Sequence, residues 1–392
     1  MPYASGRVIH DADAHIMEVP GFLTEHLEAK YRDTINDDVL FPRDRGRGLH
    51  KLMRPDAGRA ALEQDESQIM LHKNWDALGS FTKEDRPRSI DLLGFASQLM
   101  FTTQLLNFSA LLEGKGDVDA IYAVARAHTR HMVEFCSVDK RLLPTGYVPL
   151  ADFERTKVAA REAIEMGAKG LMIPSRCPDG HSPSHIGLDP LWAMAEEAGL
   201  PILFHVGGGG VLLEKAYFNN GGPPVPDFHG GDDNFKSIDY MAIAYPPMKA
   251  LTALIVDRVL DRFPDLKFGC IEQGASWLPG WMRNMDSAHT AFYKNEERLQ
   301  KMSLKPSEFV KRQVRVTPYP HEDAGWIIAN SGDEVCLFSS DYPHVEGGRN
   351  PIGRFEAALE GRSETVKEKF YAENFLRIFP KARVHGRVEA VA

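Results

Sequence analysis

Short apolar runs alternating with amphipathic stretches constrain this chain more than any other feature. Eight candidate strands can be read, at 7–15, 95–102, 143–150, 168–174, 201–206, 266–272, 313–318 and 335–341. Most are apolar for several residues in succession, the pattern of strands buried on both faces of a parallel sheet. Between them lie segments with helical spacing and their own boundary signals. "DVDAIYAVARAHTRHMVEFCS" opens on capping acids and "DFERTKVAAREAIEMG" ends on glycine. "DPLWAMAEEAGL" runs into Pro201, "MKALTALIVDRVLDRFP" stops at Pro264, and "WLPGWMRNMDSAHTAFYKNEERLQKM" predicts a longer helix. Eight strands each followed by helix predict an α/β fold, one (β/α)8 TIM barrel over residues 1–392.

Two segments depart from the repeat. Residues 16–90 form a long polar stretch after the first strand, with "RDRGRGLHKLMRPDAGR" at its centre, and read as a surface insertion. Residues 207–246 carry "GGGG" and "NNGGPPVPDFHGG" and read as a Gly/Pro-rich lid after the fifth strand. Both follow strand C-termini, the face where barrel active sites sit. No GxGxxG or GKS/T pattern accompanies the "GGGG" run, so it is not a phosphate loop.

Charge and cysteine usage exclude several classes. With 46 basic and 55 acidic residues the net charge is −9. No basic run or basic-aromatic stripe appears, so neither nucleic acid nor a polyanionic membrane surface is an expected partner. Cys136, Cys177, Cys270 and Cys336 lie far apart without a CxxC pair, which argues against a disulfide scaffold or a cysteine zinc site. The opening "MPYASGRVIHD" does not read as a signal peptide, and no run of about 18 apolar residues is present. The expected location is the cytoplasm.

"VIHDADAHIMEVP" places Asp11, Asp13 and His15 at alternate positions, which an extended strand would turn to one face. The other strand ends carry similar chemistry. The fifth ends at His205, the sixth at Glu272 and the eighth at Asp341, followed three residues later by His344. Buried charges cost several kcal/mol unpaired, so packing does not explain four acid or histidine ends at one level of a barrel. A divalent cation satisfies them together, and imidazole with carboxylate suits Zn, Mn or Fe.

"DADAHIMEVP", "DPLWAMAEEAGLPILFHVG", "FGCIEQGASWLPGWMRNMD" and "LFSSDYPHVEGG" resemble the amidohydrolase superfamily over nearly the whole chain. The resemblance is to the amidohydrolase 2 branch, with aminocarboxymuconate-semialdehyde decarboxylase and the resorcylate and carboxyvanillate decarboxylases. It implies a distorted barrel with one or two divalent metals at the strand C-termini. Asp13 and His15 stand where many members have His-x-His, and a carboxylate in the first place also occurs in the resorcylate and carboxyvanillate types. His205 matches the metal histidine of the fifth strand. Asp341 matches the eighth-strand aspartate, a metal ligand and often the base that handles the water proton. The sixth strand departs: members usually have a histidine there, and this chain has Cys270 near that place and Glu272 just beyond. The implied metal ligands are Asp13, His15, His205, Glu272 and Asp341, with Asp341, Glu272 and His344 as catalytic candidates.

Other residues have two readings. Asp11 is either an acceptor behind a ligand imidazole or a residue of the barrel bottom. His321 and Glu322 either rim the site or belong to a helix N-terminal turn. His10, His289, Trp277, Trp281 and Cys270 read as structural. Lys169 is where a metal-bridging modified lysine would stand, but this branch generally lacks that feature.

Three functions are compatible with this reading. The first is a metal-dependent hydrolase or decarboxylase for a small carboxylated, aromatic or enolic substrate, with Arg54, Arg176 or Arg349 as candidates to bind its carboxylate. The second, similar to α-aminoisobutyrate hydroxylase, is a dinuclear Fe or Fe/Mn oxygenase, to which the extra carboxylate Glu272 points. The third is a non-catalytic subunit supporting a catalytic partner. The expected partners are a small-molecule substrate and further copies of the chain or a paralogous subunit.

Overall fold

In the computed structural model, residues 2–36, 40, 65–223 and 236–385 are described. Seven strands follow one another in a parallel sheet ordered as in sequence: β1 (His10–His15), β2 (Ser97–Phe101), β3 (Leu142–Tyr147), β4 (Gly170–Met172), β5 (Ile202–His205), β6 (Phe268–Ile271) and β7 (Val314–Val316). The eighth expected strand is not a regular one. Its place is taken by an extended segment that makes single parallel bridges, Val316 with Cys336 and Ala14 with Tyr342. Leu337 N–H donates to the Val316 carbonyl, and Ala12 N–H donates to the Phe338 carbonyl. Residues 335–342 thus touch β7 on one side and β1 on the other, closing the ring of a (β/α)8 fold. A continuous ladder is missing because Phe338 N–H turns to the Phe370 carbonyl instead.

Both faces of the strands are buried, as the apolar runs require. Ala12, Leu99, Phe101, Leu143, Met172, Leu203, Ile271 and Leu337 pack together in the lumen, closed below by Phe375, Ile378 and Phe379. The alternate residues Leu171, Ile202, Phe204, Phe268, Cys270, Val314, Val316 and Phe338 join the larger outer cluster against the helices. Truncating a lumen side chain such as Leu203 would cost about 2–5 kcal/mol, since a closed barrel has little freedom to collapse into the void.

The helices obey their sequence signals. Asp117 caps Val118–Cys136 by accepting from Ala120 N–H, and Asp152 caps Phe153–Met166, which Gly167 ends with φ 107°. Asp189–Ala198 matches its segment. The segment ending at Pro264 breaks into Tyr245–Val256 and Val259–Arg262, with Arg258 left-handed between them. The longer expected helix covers Leu278–Phe292, and Glu297–Gln300 is separate.

A long insertion does follow β1, but its described parts do not lie wholly on the surface. Phe22, Leu23, Leu27 and Ile35 pack under the Val118–Cys136 helix, Ile69, Met70, Leu78 and Ile90 enter the outer core, and Arg86 is fully buried. These apolar residues are too widely spaced to show a period in the sequence. The central "RDRGRGLHKLMRPDAGR", with Arg54, lies outside the described residues, as do 224–235 of the lid. The described 211–221 stretch of the lid is mostly exposed. No helix among the described residues is long and apolar enough to cross a membrane.

Candidate metal centre

A β-bulge shapes the first strand. Pairing of β1 with β2 slips between Asp11 and Ala14, so the alternation reverses there. Ala12 packs in the lumen and Ala14 in the outer layer. Asp13 and His15 therefore turn inward, while Asp11 turns outward, against the one-face expectation. Asp11 accepts from Ser340 N–H at 2.8 Å, Ser340 hydroxyl at 2.6 Å and Gln98 Nε2 at 2.9 Å. It neither supports a ligand imidazole nor faces the barrel bottom. Burial pushes its carboxyl up to about 7 against those donors.

The two imidazoles at the ends of β1 and β5 are oriented alike. His15 Nδ1 is 3.0 Å from the Thr102 carbonyl, and His205 Nδ1 is 2.9 Å from the Val206 carbonyl. A carbonyl only accepts, so each ring donates from Nδ1 and presents Nε2 to the centre. The Nε2 atoms lie 3.2 Å and 3.4 Å from Asp13 Oδ1. Glu272 Oε2 is 3.7 Å from His15 Nε2 and 3.4 Å from His205 Nε2. Asp341 Oδ1 is 3.6 Å from His15 Nε2 and 3.0 Å from His344 Nδ1. Two overlapping ligand groups result: Asp13, His15, His205 and Glu272, and His15, Glu272, Asp341 and His344.

These separations fit a cation. With metal–ligand bonds near 2.1 Å, adjacent ligand atoms lie about 3.0 Å apart in an octahedron and about 3.4 Å in a tetrahedron. Asp13 Oδ2, His15 Nε2 and both Asp341 carboxylate oxygens are buried without a hydrogen-bond partner among the described residues. Such orphans are costly unless something positive joins them.

The electrostatics agree. Burial holds the Glu272 carboxyl well above its usual range, and the Asp341 and Asp13 charges add to this. Burial would also raise Asp13, but the His15 and His205 imidazoles outweigh it and hold it low. Burial, then the nearby His344 charge, pulls His15 down to about 4. His344 goes the other way: burial would lower it, yet Asp341, then Glu346 and Asp13, push it up to about 9. Its Nε2 is 2.8 Å from Thr103 Oγ1, whose own proton goes to the Ile16 carbonyl at 2.8 Å. Nε2 must then donate, and Nδ1 faces Asp341 either as a second N–H or as a lone pair sharing a cation.

Backbone strain is concentrated in the same place. Glu272 has φ 53° and Asp341 φ 52°, a left-handed conformation that non-glycine residues adopt at a cost of roughly 1–3 kcal/mol. Glu272 is held by its N–H on Thr317 Oγ1 at 2.8 Å and by the Tyr319 hydroxyl on its carbonyl at 2.7 Å. Gly347 folds over Asp341, where any Cβ would collide with the Ser340 carbonyl.

The remaining candidates separate. Glu322 accepts from Tyr319, Ala275 and Ser276 N–H groups, which supports the helix-turn reading, and His321 stacks on Tyr319. His10 bonds Ser97 and stacks on Phe375. His289 contacts Tyr293 on its helix, Trp277 and Trp281 pack edge to face, and Cys270 is buried. Arg176 pairs with Asp179, and Arg349 is exposed. Lys169 stands before β4, at the opposite end of the strands from the cluster. Thr103, Thr317 and Tyr319, which bond His344 and the Glu272 backbone, were missed. Each stands just after a strand, and that position was the available signal.

The family profile "Amidohydro_2: Amidohydrolase" matches residues 11–381. The chain belongs to this amidohydrolase family. The barrel is shared with an amidohydrolase from Mycobacterium avium subsp. paratuberculosis K-10, at 22% identity and TM-score 0.71, over 96% of this chain and 100% of that one. It is also shared with 5-carboxyvanillate decarboxylase from Sphingomonas paucimobilis, at 18% identity and TM-score 0.60, over 96% and 99%. A third likeness is the Novosphingobium aromaticivorans 5-carboxyvanillate decarboxylase complexed with manganese and 4-hydroxy-3-methoxy-5-nitrobenzoic acid, at 16% identity and TM-score 0.62, over 96% of each chain. No curated protein matches the sequence. The amidohydrolase match covers both ends of the candidate centre, from Asp13 to His344.

Proposed function

We propose that this amidohydrolase-family chain is a divalent-metal-dependent hydrolase or decarboxylase acting on a small carboxylated, aromatic or enolic substrate. The observation that carries this reading is the convergence of Asp13, His15, His205, Glu272 and Asp341, with buried, unpartnered oxygen and nitrogen atoms among them. A bound Zn, Mn or Fe ion supplies Lewis acidity and a water of lowered pKa. Asp13, His15 and His205 would hold it. Asp341 would hold or move the proton of the reacting water or substrate, and His344 Nδ1, 3.0 Å away, would share that proton. The manganese-bound decarboxylase of like fold supports the same direction. The test is activity on a panel of hydroxybenzoates and related esters or lactones with protein reconstituted with Mn or Zn, reading carbon dioxide release and acid release separately. Activity that survives complete metal removal would defeat the reading.

One observation favours a second reading, a dinuclear Fe or Fe/Mn oxygenase. His15 has a single free nitrogen, so it serves one ion. Glu272 has two oxygens and belongs to both ligand groups, and Asp341 and His344 complete the second. Three carboxylates in such a centre suit hard Fe and Mn ions. Under this reading turnover stops without oxygen, whereas a hydrolase or decarboxylase continues.

A further inference from the structure

Lys73 belongs to neither ligand group, yet it stands directly before Asn74, whose backbone meets the chain that follows Asp341. Nζ is buried and has no hydrogen-bond partner among the described residues. Burial works against its charge, the Asp341 and Glu346 carboxylates favour it, and Arg349 opposes it as a second cation. The residues that follow it are fastened to the segments carrying the ligands. Asn74 N–H donates to the Pro343 carbonyl at 2.9 Å, and Trp75 Nε1 donates to the Glu18 carbonyl at 3.2 Å while its ring packs on Met17. The Tyr342 hydroxyl donates to the Leu78 carbonyl at 2.8 Å. The turn is thus tied both to the chain leaving β1 and to the chain leaving Asp341.

An ammonium has three donors and no acceptor. Left buried without a partner it is costly, so such a group is kept where something else completes it. We propose that Lys73 is a substrate-anchoring residue whose ammonium receives the carboxylate of the small molecule that reacts at the adjoining centre. The inference rests on the carboxylated-substrate reading above and adds the residue that recognises the charge. A monoanion is the better match than a phosphate. Phosphates are usually gathered by several backbone N–H groups at a helix N-terminus, and the N-terminus of Gln104–Lys115, whose Thr103 also meets His344, is already taken by Glu18, which accepts from Thr103, Gln104 and Leu105 N–H. The alternative is that Lys73 only offsets the charge of Asp13, Glu272 and Asp341. With one divalent ion bound, three carboxylates retain one excess negative charge, which the ammonium would cancel. With two, the excess is already positive, and an anionic partner is needed.

The test is calorimetric binding of salicylate and of neutral salicylamide to manganese-loaded protein, comparing wild type with K73M, K73Q and K73R. K73Q keeps a polar end, so a packing loss in K73M cannot pass for a charge effect. Wild type is expected to bind salicylate at least about ten-fold more tightly than the amide. K73M and K73Q should lose that preference with unchanged manganese content and amide affinity, and K73R should keep part of it. If wild type binds neither probe, or shows no preference, the carboxylated-substrate reading falls and the role of Lys73 falls with it. If the preference is present in wild type and persists in K73M and K73Q, the reading stands and the Lys73 assignment alone is overturned. Tighter manganese binding in those variants, with the preference kept, assigns Lys73 the counter-charge role instead.

Discussion

Asp11 accepts two hydrogen bonds from Ser340, one from the backbone N–H at 2.8 Å and one from the hydroxyl at 2.6 Å, joining residues 329 positions apart. This pair secures the segment that carries Asp341 to the strand that carries Asp13 and His15. It replaces the ladder that 335–342 does not form.

Asp11→Asn should therefore destabilise the protein by about 1–3 kcal/mol, because an amide cannot accept from both Ser340 donors and Gln98 as a carboxylate does. Ser340→Ala should cost a similar amount, and the double variant should cost less than the two together. Urea midpoints of the four proteins check this; strict additivity would mean that the pair is not a unit.

Much of the candidate site was legible because its chemistry sits where strands end. His15, His205, Glu272 and Asp341 are all acid or imidazole at the close of an apolar run, and the structure brings them together. The bulge was not legible. An alternating pattern shows period, not an extra residue, so Asp11 was placed on the wrong face. The ragged eighth segment was hidden for a related reason: its apolar run reads like a strand, while its hydrogen bonds are divided among β7, β1 and Phe370. Lys73 was invisible because the 16–90 stretch has no period that would reveal which of its residues turn inward.

Replacing His205 or Asp341 by alanine should remove bound metal and activity while leaving the far-ultraviolet circular dichroism unchanged, since residues at this end of a barrel serve chemistry more than folding. Asp341→Asn has a further expected effect. Without metal it removes the carboxylate that pairs with His344 Nδ1 at 3.0 Å, so the apoprotein should melt lower, by on the order of 2 °C for each kcal/mol lost. Metal analysis and calorimetry decide; a fully metallated, active His205→Ala would remove that residue from the centre.

Glu272→Gln distinguishes one ion from two. A neutral amide is a weak ligand for a hard cation, so a centre holding close to two metals per chain should fall to about one, with Asp13, His15 and His205 still binding. Paired assays in air and under nitrogen then separate the functions. Full anaerobic turnover excludes the oxygenase, and oxygen uptake matching product excludes the hydrolase and decarboxylase.

Acid should destabilise the fold through His128. Both of its ring nitrogens are buried without hydrogen-bond partners among the described residues, and burial, with the nearby His131 charge, pulls it down to about 3 from an ordinary 6.5. A depressed folded value means that the unfolded chain binds the proton first. Its contribution to stability is intact above pH 6.5 and is lost progressively as pH falls toward 3, by about 2 kcal/mol at pH 5. His128→Gln should flatten that part of the profile in denaturant titrations at pH 5 and pH 7; an unchanged slope would show that folded and unfolded chains take up that proton alike.

The closure of the ring by residues 335–342 also sets an order in time. On the ribosome, Asp13, His15, His205 and Glu272 are all made before Asp341 and His344. Until position 335 has emerged, β1 and β7 stand as open edges at the two ends of the sheet. A nascent or prematurely terminated chain is therefore a curved parallel sheet with two unpaired margins, the form most open to edge-to-edge pairing with its neighbours on a polysome.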